Sequence, residues 1–517
     1  MVVGLVAIVV LVSALARRWG LLAPIALVVV GLAISMVAHL DISISGDFIL
    51  VGVLPPLLYV AALQTSVPAF RFNLRPILLL AVGLVAFTMI VVASVLHLLV
   101  SALPWSICLA FGAVVAPPDA IAATAVARRI GLPRRLVTIL EGESLLNDAT
   151  ALVLFRVTTA AAVGTATGPW RIGGEFLLSA GGGVLVGLVG ALVTGLLHKR
   201  TTDPLSDNAL SLLTPFVVTL VAVWLDVSAV VAVVVTGMYL GHRLVTRKSA
   251  ASRLQMAAFW RMTTFTLEGL VFLLVGLQLR DVLRDLGTGM SRVLLLTVAV
   301  VGAVMVSRIV WMYPATYLSR LVPRVRRRDP SPPFTVPTVL AWAGMRGVVT
   351  LATALALPAT LAGGQSYPRA LLVWLAFATI VATLVLQGTT LPALVRWLKL
   401  PLDDPAQDAL AEAGVQHDAS RAARAVLDKL ADTVPDEVVG RLRELTEQRS
   451  NAAWERLGMS VETPSEAYAR VRLAMLVAER DVFRQARDEG RIAEEGLVRA
   501  QFDMDLEESM LVRRGQP

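Results

Sequence analysis

Cysteine is almost absent from this chain of 517 residues: Cys108 stands alone, so no intramolecular disulfide can form and the redox compartment is not indicated. Charge is scarce as well. Only 16% of the residues are Asp, Glu, Lys or Arg, against 56% hydrophobic, whereas an ordinary soluble domain carries about a quarter charged. Lipid, not water, must surround the bulk of the chain. No Gly-rich segment ends in Gly-Lys-Ser/Thr, which argues against a pump driven directly by ATP. The histidines at 39, 97, 198 and 242 fall near predicted helix ends or loops. A serine hydrolase built on Gly142-Glu143-Ser144 would therefore lack a base at its own depth. The basic residues, in net excess by +8, lie in short clusters between apolar runs and not in one stripe, so nucleic acid is not an expected partner.

What is present is a succession of apolar stretches long enough to cross a bilayer: 2–16, 21–40, 48–66, 77–100, 105–127, 136–161, 176–197, 208–225, 228–240, 259–279, 292–319, 335–357 and 370–397. These predict an all-α polytopic membrane protein of about thirteen spans. Basic clusters recur in alternate connections, at Arg17–Arg18, Arg71 with Arg75, Arg128 to Arg135, Lys199–Arg200, Arg243 to Arg253 and Arg324 to Arg328. By the positive-inside rule those loops are cytoplasmic, which places the N-terminus outside and the C-terminal tail inside. The first segment has its arginines after the apolar run, the reverse of a cleavable leader, and is expected to be retained.

Composition changes near residue 400. Residues 1–400 hold 30 Lys and Arg against 14 Asp and Glu, while 401–517 hold 16 against 24. The first part reads as a transport domain and the second as a soluble, cytoplasmic helical tail, with Thr463-Pro464-Ser465-Glu466 as a helix start: N-cap, first-turn proline and capping-box glutamate.

Ionisable residues inside spans are costly and mark substrate or proton pathways. At about 1.5 Å of rise per residue, Asp119 and Asp148, counted from the basic loop between them, both lie about 15–20 Å deep. Arg346 reaches a similar depth from the Arg324–Arg328 loop. Glu143 sits about one turn shallower than Asp148, and a buried carboxylate needs a cation, so a Glu143–Arg346 pair is expected. Glu268 and Arg308 are also deep and form a second tier, lining the path or pairing structurally. Along Glu141-Gly142-Glu143-Ser144-Leu145-Leu146-Asn147-Asp148, the four-residue spacing makes two polar stripes, Ser144 with Asp148 and Glu143 with Asn147. Oxygen groups of this kind suit a hard alkali cation at Asp148, Asp119 and Ser144, not zinc. Pro117-Pro118 before Asp119, and Gly344 and Gly347 around Arg346, interrupt helices in opposite halves of the chain, as inverted-repeat transporters do. The expectation is a secondary transporter, neither an enzyme nor dependent on a cofactor, that moves a small cation against protons; a channel or passive sensor is the rival.

The Glu141–Asp148 segment, with Ala116-Pro117-Pro118-Asp119-Ala120 and Ala343-Gly344-Met345-Arg346-Gly347, resembles sodium/proton antiporters of the NhaP and eukaryotic NHE type. Leu54-Pro55-Pro56-Leu57-Leu58 and the stretch from Phe272 to Gly276 share the likeness. The resemblance implies a homodimer, a core of broken crossing helices beside a dimerisation domain, and elevator-like alternating access. It further implies that Asp148 binds cation or proton, that Asn147 beside it goes with electroneutral exchange, that Asp119 and Ser144 complete the ion shell, and that Glu143 with Arg346 holds the core. Two departures stand out: Pro118-Asp119-Ala120 replaces the common Thr-Asp-Pro, so the threonine side chain is lost while the Pro118 backbone carbonyl is kept as a ligand, and Val60 stands near where an acidic residue is frequent.

Overall fold

The computed structural model describes residues 2–514 apart from 22, 39–47, 120–122, 125, 128–129, 165–168, 202, 245–247, 285, 287–288, 401–402, 456–462 and 490. Two compact units emerge, Met1–Leu402 and Asp403–Pro517. Among the described residues both are helical without strands, and in the first unit that is what lipid requires, since it leaves backbone groups no partner other than the helix itself.

In the first unit α1 (Val2–Arg18), α2 (Ala23–Ala38) and α3 (Leu54–Gln64) are followed by α4 (Leu74–Leu99). Then come α5 (Trp105–Val115), α6 (Arg134–Val163), α7 (Pro169–Arg200), α8 (Pro204–Trp224), α9 (Ala229–Leu244) and α10 (Ala250–Arg284). The last are α11 (Met290–Tyr317), α12 (Thr335–Trp342), α13 (Val348–Leu355) and α14 (Arg369–Trp397). Each expected apolar run holds helix within its described residues, with 105–127 and 335–357 broken at 116–119 and at 343–347. Among the described residues seven helices are long and apolar enough to cross a membrane, whereas the segments beginning at Ala23, Ile49, Trp105 and Ala229 are short; the expectation of thirteen crossings goes beyond that count.

Packing divides the first unit into two bundles. α4, α5, α6, α11, α12, α13 and α14 pack on one another, and α1, α2, α3, α7, α8, α9 and α10 form the other set. Within the first bundle a long helix, a broken one and a long one follow in order twice: α4, α5 with its break, α6; then α11, α12–α13, α14. This is the coarse symmetry anticipated from the interrupted segments. Leucines 177, 178, 185 and 192 of α7 are at least half exposed, a face that lipid and not water must cover.

Glycine brings the helices of the second bundle into backbone contact. At Gly276 an added Cβ would lie 2.2 Å from the Val28 carbonyl oxygen, and at Gly31 a Cβ would lie 2.4 Å from that of Leu273. α2 and α10 thus touch main chain to main chain, a means of association that suits helices in lipid. At the basic ends of this bundle Asp207 is buried and accepts from His198, Ser252 and, at 2.9 Å, Lys248, joining the ends of α7, α8 and α10. His198, in the last turn of α7, is buried by this contact.

The second unit holds α15 (Pro405–Leu430) against α16 (Asp436–Glu455), and α17 (Pro464–Asp488) against α18 (Glu494–Arg514). Its predicted start signal is formed: the Glu466 N–H donates to Thr463 Oγ1 at 3.2 Å and the Thr463 N–H to Glu466 Oε2 at 2.9 Å. Arg472 donates to both oxygens of Glu507, at 2.7 and 2.8 Å, and holds that carboxyl below the usual range.

Gly276→Ala should force α2 and α10 apart and destabilise the protein by about 1–3 kcal/mol, seen as a lowered melting midpoint in detergent; Gly289→Ala, where a Cβ meets open space, should leave the midpoint unmoved.

Candidate ion site

α5 ends at Val115 because Pro117 and Pro118 supply no N–H to continue it. The chain runs on extended to Asp119, whose N–H donates to the Met345 carbonyl at 2.7 Å. Met345 lies in the matching break, residues 343–347, between α12 and α13. The two interruptions therefore cross and bond each other.

Each break leaves carbonyls at the end of a half-helix without intrahelical donors, and those ends carry partial negative charge. Arg346 answers one: its Nε donates to Val115 O at 3.2 Å and its Nη2 to Ala116 O at 3.4 Å, while Nη1 reaches Gly344 O. Arg308 answers the other through Nε to Leu340 O at 3.2 Å. The Arg346 N–H donates to Thr383 Oγ1 at 3.1 Å.

The expected Glu143–Arg346 ion pair is not formed. Glu143 is instead held by Arg308, in a two-pronged contact of 2.5 and 2.9 Å, with both side chains no more than 1% exposed. Depth made Arg346 the nearest candidate for Glu143 and marked Arg308 only as deep; it could not give their direction around the helix axis, and Arg346 is turned toward the α5 carbonyls. Arg308 thus belongs to the structural half of the second tier.

The two polar stripes of α6 have separate surroundings. Glu143 and Asn147 point into the protein, at 1% and 0% exposure, and the Asn147 side-chain amide donates to Pro118 O at 2.9 Å. That bond ties α6 to the break of α5. Ser144 and Asp148 face a cavity of about 680 Å³, together with Pro118, Asp119 and Glu268. Glu268 is thereby placed on the path side of the second tier. Val60, where the resemblance leads one to look for an acid, lines the same cavity as an apolar wall.

The glycines lie within the second break, as expected, and they also permit close approach. A Cβ on Gly347 would overlap Asp119, 1.6 Å from its Oδ2, and a Cβ on Gly344 would come within 2.4 Å of the Arg308 side chain. Sequence reasoning noted these glycines without this role and missed Thr383. The only hint for the latter was the Thr379, Thr383 spacing of four on α14, which puts both hydroxyls on one buried face.

The family model for the transmembrane part of sodium/hydrogen exchangers matches residues 4–397. The chain belongs to the sodium/hydrogen exchanger family. An uncharacterized Na+/H+ exchanger of Mycobacterium bovis is 37% identical, the match covering 99% of this chain and 96% of that one. A sodium, potassium, lithium and rubidium/H+ antiporter of Bacillus pumilus is 31% identical over 72% of this chain and 57% of its own length. The sodium proton antiporter of Methanocaldococcus jannaschii shares the fold, with a TM-score of 0.62 over 77% of this chain and 98% of that chain at 18% identity. This exchanger is accordingly a multi-pass membrane protein of the cation/proton antiporter class.

Arg308→Gln would leave the Glu143 carboxylate buried without its counter-charge and should cost about 3–5 kcal/mol. In a melting series, adding Glu143→Gln to Arg308→Gln should restore much of the loss, while adding it to Arg346→Gln should restore none; equal recovery in both would show the pairing to be wrong. Gly347→Ala should displace the Asp119 carboxylate and raise the cation concentration needed for half-maximal exchange about tenfold or more, the equivalent of about 1.4 kcal/mol.

Proposed function

We propose that this exchanger carries sodium, with lithium and potassium as further substrates, against protons by alternating access, one ion for one proton. Asp148 is the carboxylate that holds either the cation or the proton, and Asp119, Ser144 and the Pro118 carbonyl complete the oxygen shell. The observation that carries this reading is the convergence of Asp148 and Asp119, from a continuous and a broken helix, on one cavity. A partly desolvated carboxylate is costly as a bare charge, so it is occupied by one positive ion or the other. Competition for that one group couples the two fluxes, and no nucleotide or cofactor enters the cycle.

Asn147 favours the electroneutral stoichiometry, because the residue next to Asp148 is an amide fixed to Pro118 and adds no second titrating carboxylate. The likeness to the sodium, potassium, lithium and rubidium/H+ antiporter of Bacillus pumilus supports a broad choice among alkali cations. We place the protein in the cell membrane as a homodimer, with its N-terminus outside and its tail in the cytoplasm, serving internal pH and sodium balance. The alternation of basic loops supports that orientation.

In proteoliposomes carrying a pH-sensitive dye, sodium, lithium or potassium pulses should move protons for the wild type and not for Asp148→Asn; full activity of the variant would remove Asp148 from the mechanism. Competition also fixes a sign for pH: as the medium is acidified the half-saturating cation concentration should rise, by up to about tenfold per unit, with little change in maximal rate. A falling maximal rate at constant half-saturation would point to inhibition at a separate site.

A further inference from the structure

Three arginines from different parts of the first bundle meet on one carboxylate. Asp329 Oδ2 accepts from Arg75 at 3.0 Å and from Arg320 at 2.6 Å, and Oδ1 accepts from Arg135 at 2.7 Å. Arg75 lies at the start of α4, Arg135 at the start of α6, and Arg320 just beyond α11. Three guanidinium groups against one carboxylate leave two positive charges in excess. The flanking sequence does not balance them: residues 66–78, 130–140 and 315–335 hold nine arginines and Asp329 as their one acidic residue.

The donors are not used up. Arg75 Nε is buried and has no partner among the described residues, although an unmade bond of this kind is costly. The Arg75 and Arg135 side chains stay 31% and 43% exposed, whereas Arg320 is held at 7% as the base of the cluster. Exposed apolar side chains flank it: Phe72 at 71%, over whose ring Arg135 lies, and Leu74, Leu318 and Leu321. A cationic pocket with spare guanidinium donors, bordered by side chains that face lipid, matches a phosphodiester headgroup with its acyl chains.

We propose that Arg75, Arg135 and Arg320, gathered on Asp329, form a binding site for an anionic phospholipid headgroup at the rim of the bundle that carries Asp119 and Asp148. The guanidinium forks suit two phosphate oxygens, and Asp329 keeps the arginines together when the lipid is away. The bound lipid bridges the starts of α4 and α6 with the end of α11.

The test is native mass spectrometry of the full-length protein exchanged into mixed phosphatidylcholine and phosphatidylglycerol. The wild type should retain phosphatidylglycerol selectively. Arg75→Gln with Arg135→Gln should weaken retention about fivefold per arginine, the equivalent of about 1 kcal/mol each, while Arg326→Gln with Arg327→Gln, on the exposed turn beyond, should leave it unchanged. Equal retention by the first pair, or equal loss from the second, would overturn a defined site. Displacement by millimolar inorganic phosphate would overturn the lipid as its occupant in favour of a soluble anion. On the unmodified protein, hydrogen exchange over residues 67–78 and 316–329 should slow in phosphatidylglycerol nanodiscs relative to phosphatidylcholine ones, and no difference would also count against the site.

Discussion

A helix broken inside a bilayer exposes main-chain carbonyls where no water is at hand, and the ion site depends on how those groups are satisfied. The break at Ala116-Pro117-Pro118 and the break at residues 343–347 each strip donors from the half-helix before them. Two buried arginines supply replacements, Arg346 to the end of α5 and Arg308 to the end of α12. An arginine buried for that purpose brings a full charge with it. Arg308 is balanced by Glu143, and Arg346 rests among the carbonyl dipoles of Val115, Ala116 and Gly344.

From this follows the division of labour along α6. The helix offers a carboxylate and a neutral polar group on each of two neighbouring stripes. The stripe facing the protein is consumed by structure: Glu143 neutralises Arg308, and Asn147 fixes the Pro118 carbonyl. The stripe facing the cavity keeps Ser144 and Asp148 beside Asp119. Residues four apart in sequence share a surrounding and residues one apart do not, which is the helical period acting as a sorting device.

Much of this was legible in the sequence, for identifiable reasons. Apolar runs announce helices in lipid because hydrogen bonding leaves few other options, so the runs from 2–16 to 370–397 hold helix in their described residues, with breaks inside 105–127 and 335–357. Depth was legible because helical rise is fixed, which put Asp119, Asp148 and Arg346 at one level. Rotation about the axis was not, since it depends on which neighbours pack where; for that reason Arg346 was paired with Glu143 and Arg308 was left in a second tier. Gly344 and Gly347 could be recognised as unusual, yet only coordinates show that the absent Cβ atoms make room for Arg308 and Asp119.

The arrangement bears on the exchange proposed for Asp148. A basic side chain paired with Asp148 would satisfy it permanently and leave nothing for a transported ion to do. Among the described residues no such pair is formed, and the two deep arginines that could have supplied one are committed to Glu143 and to half-helix carbonyls. Those commitments are strong because each arginine answers a backbone need that is itself expensive to leave unmet. The breaks therefore do two things at once: they bring Asp119 and the Pro118 carbonyl to the cavity, and they hold the nearby cationic side chains away from Asp148.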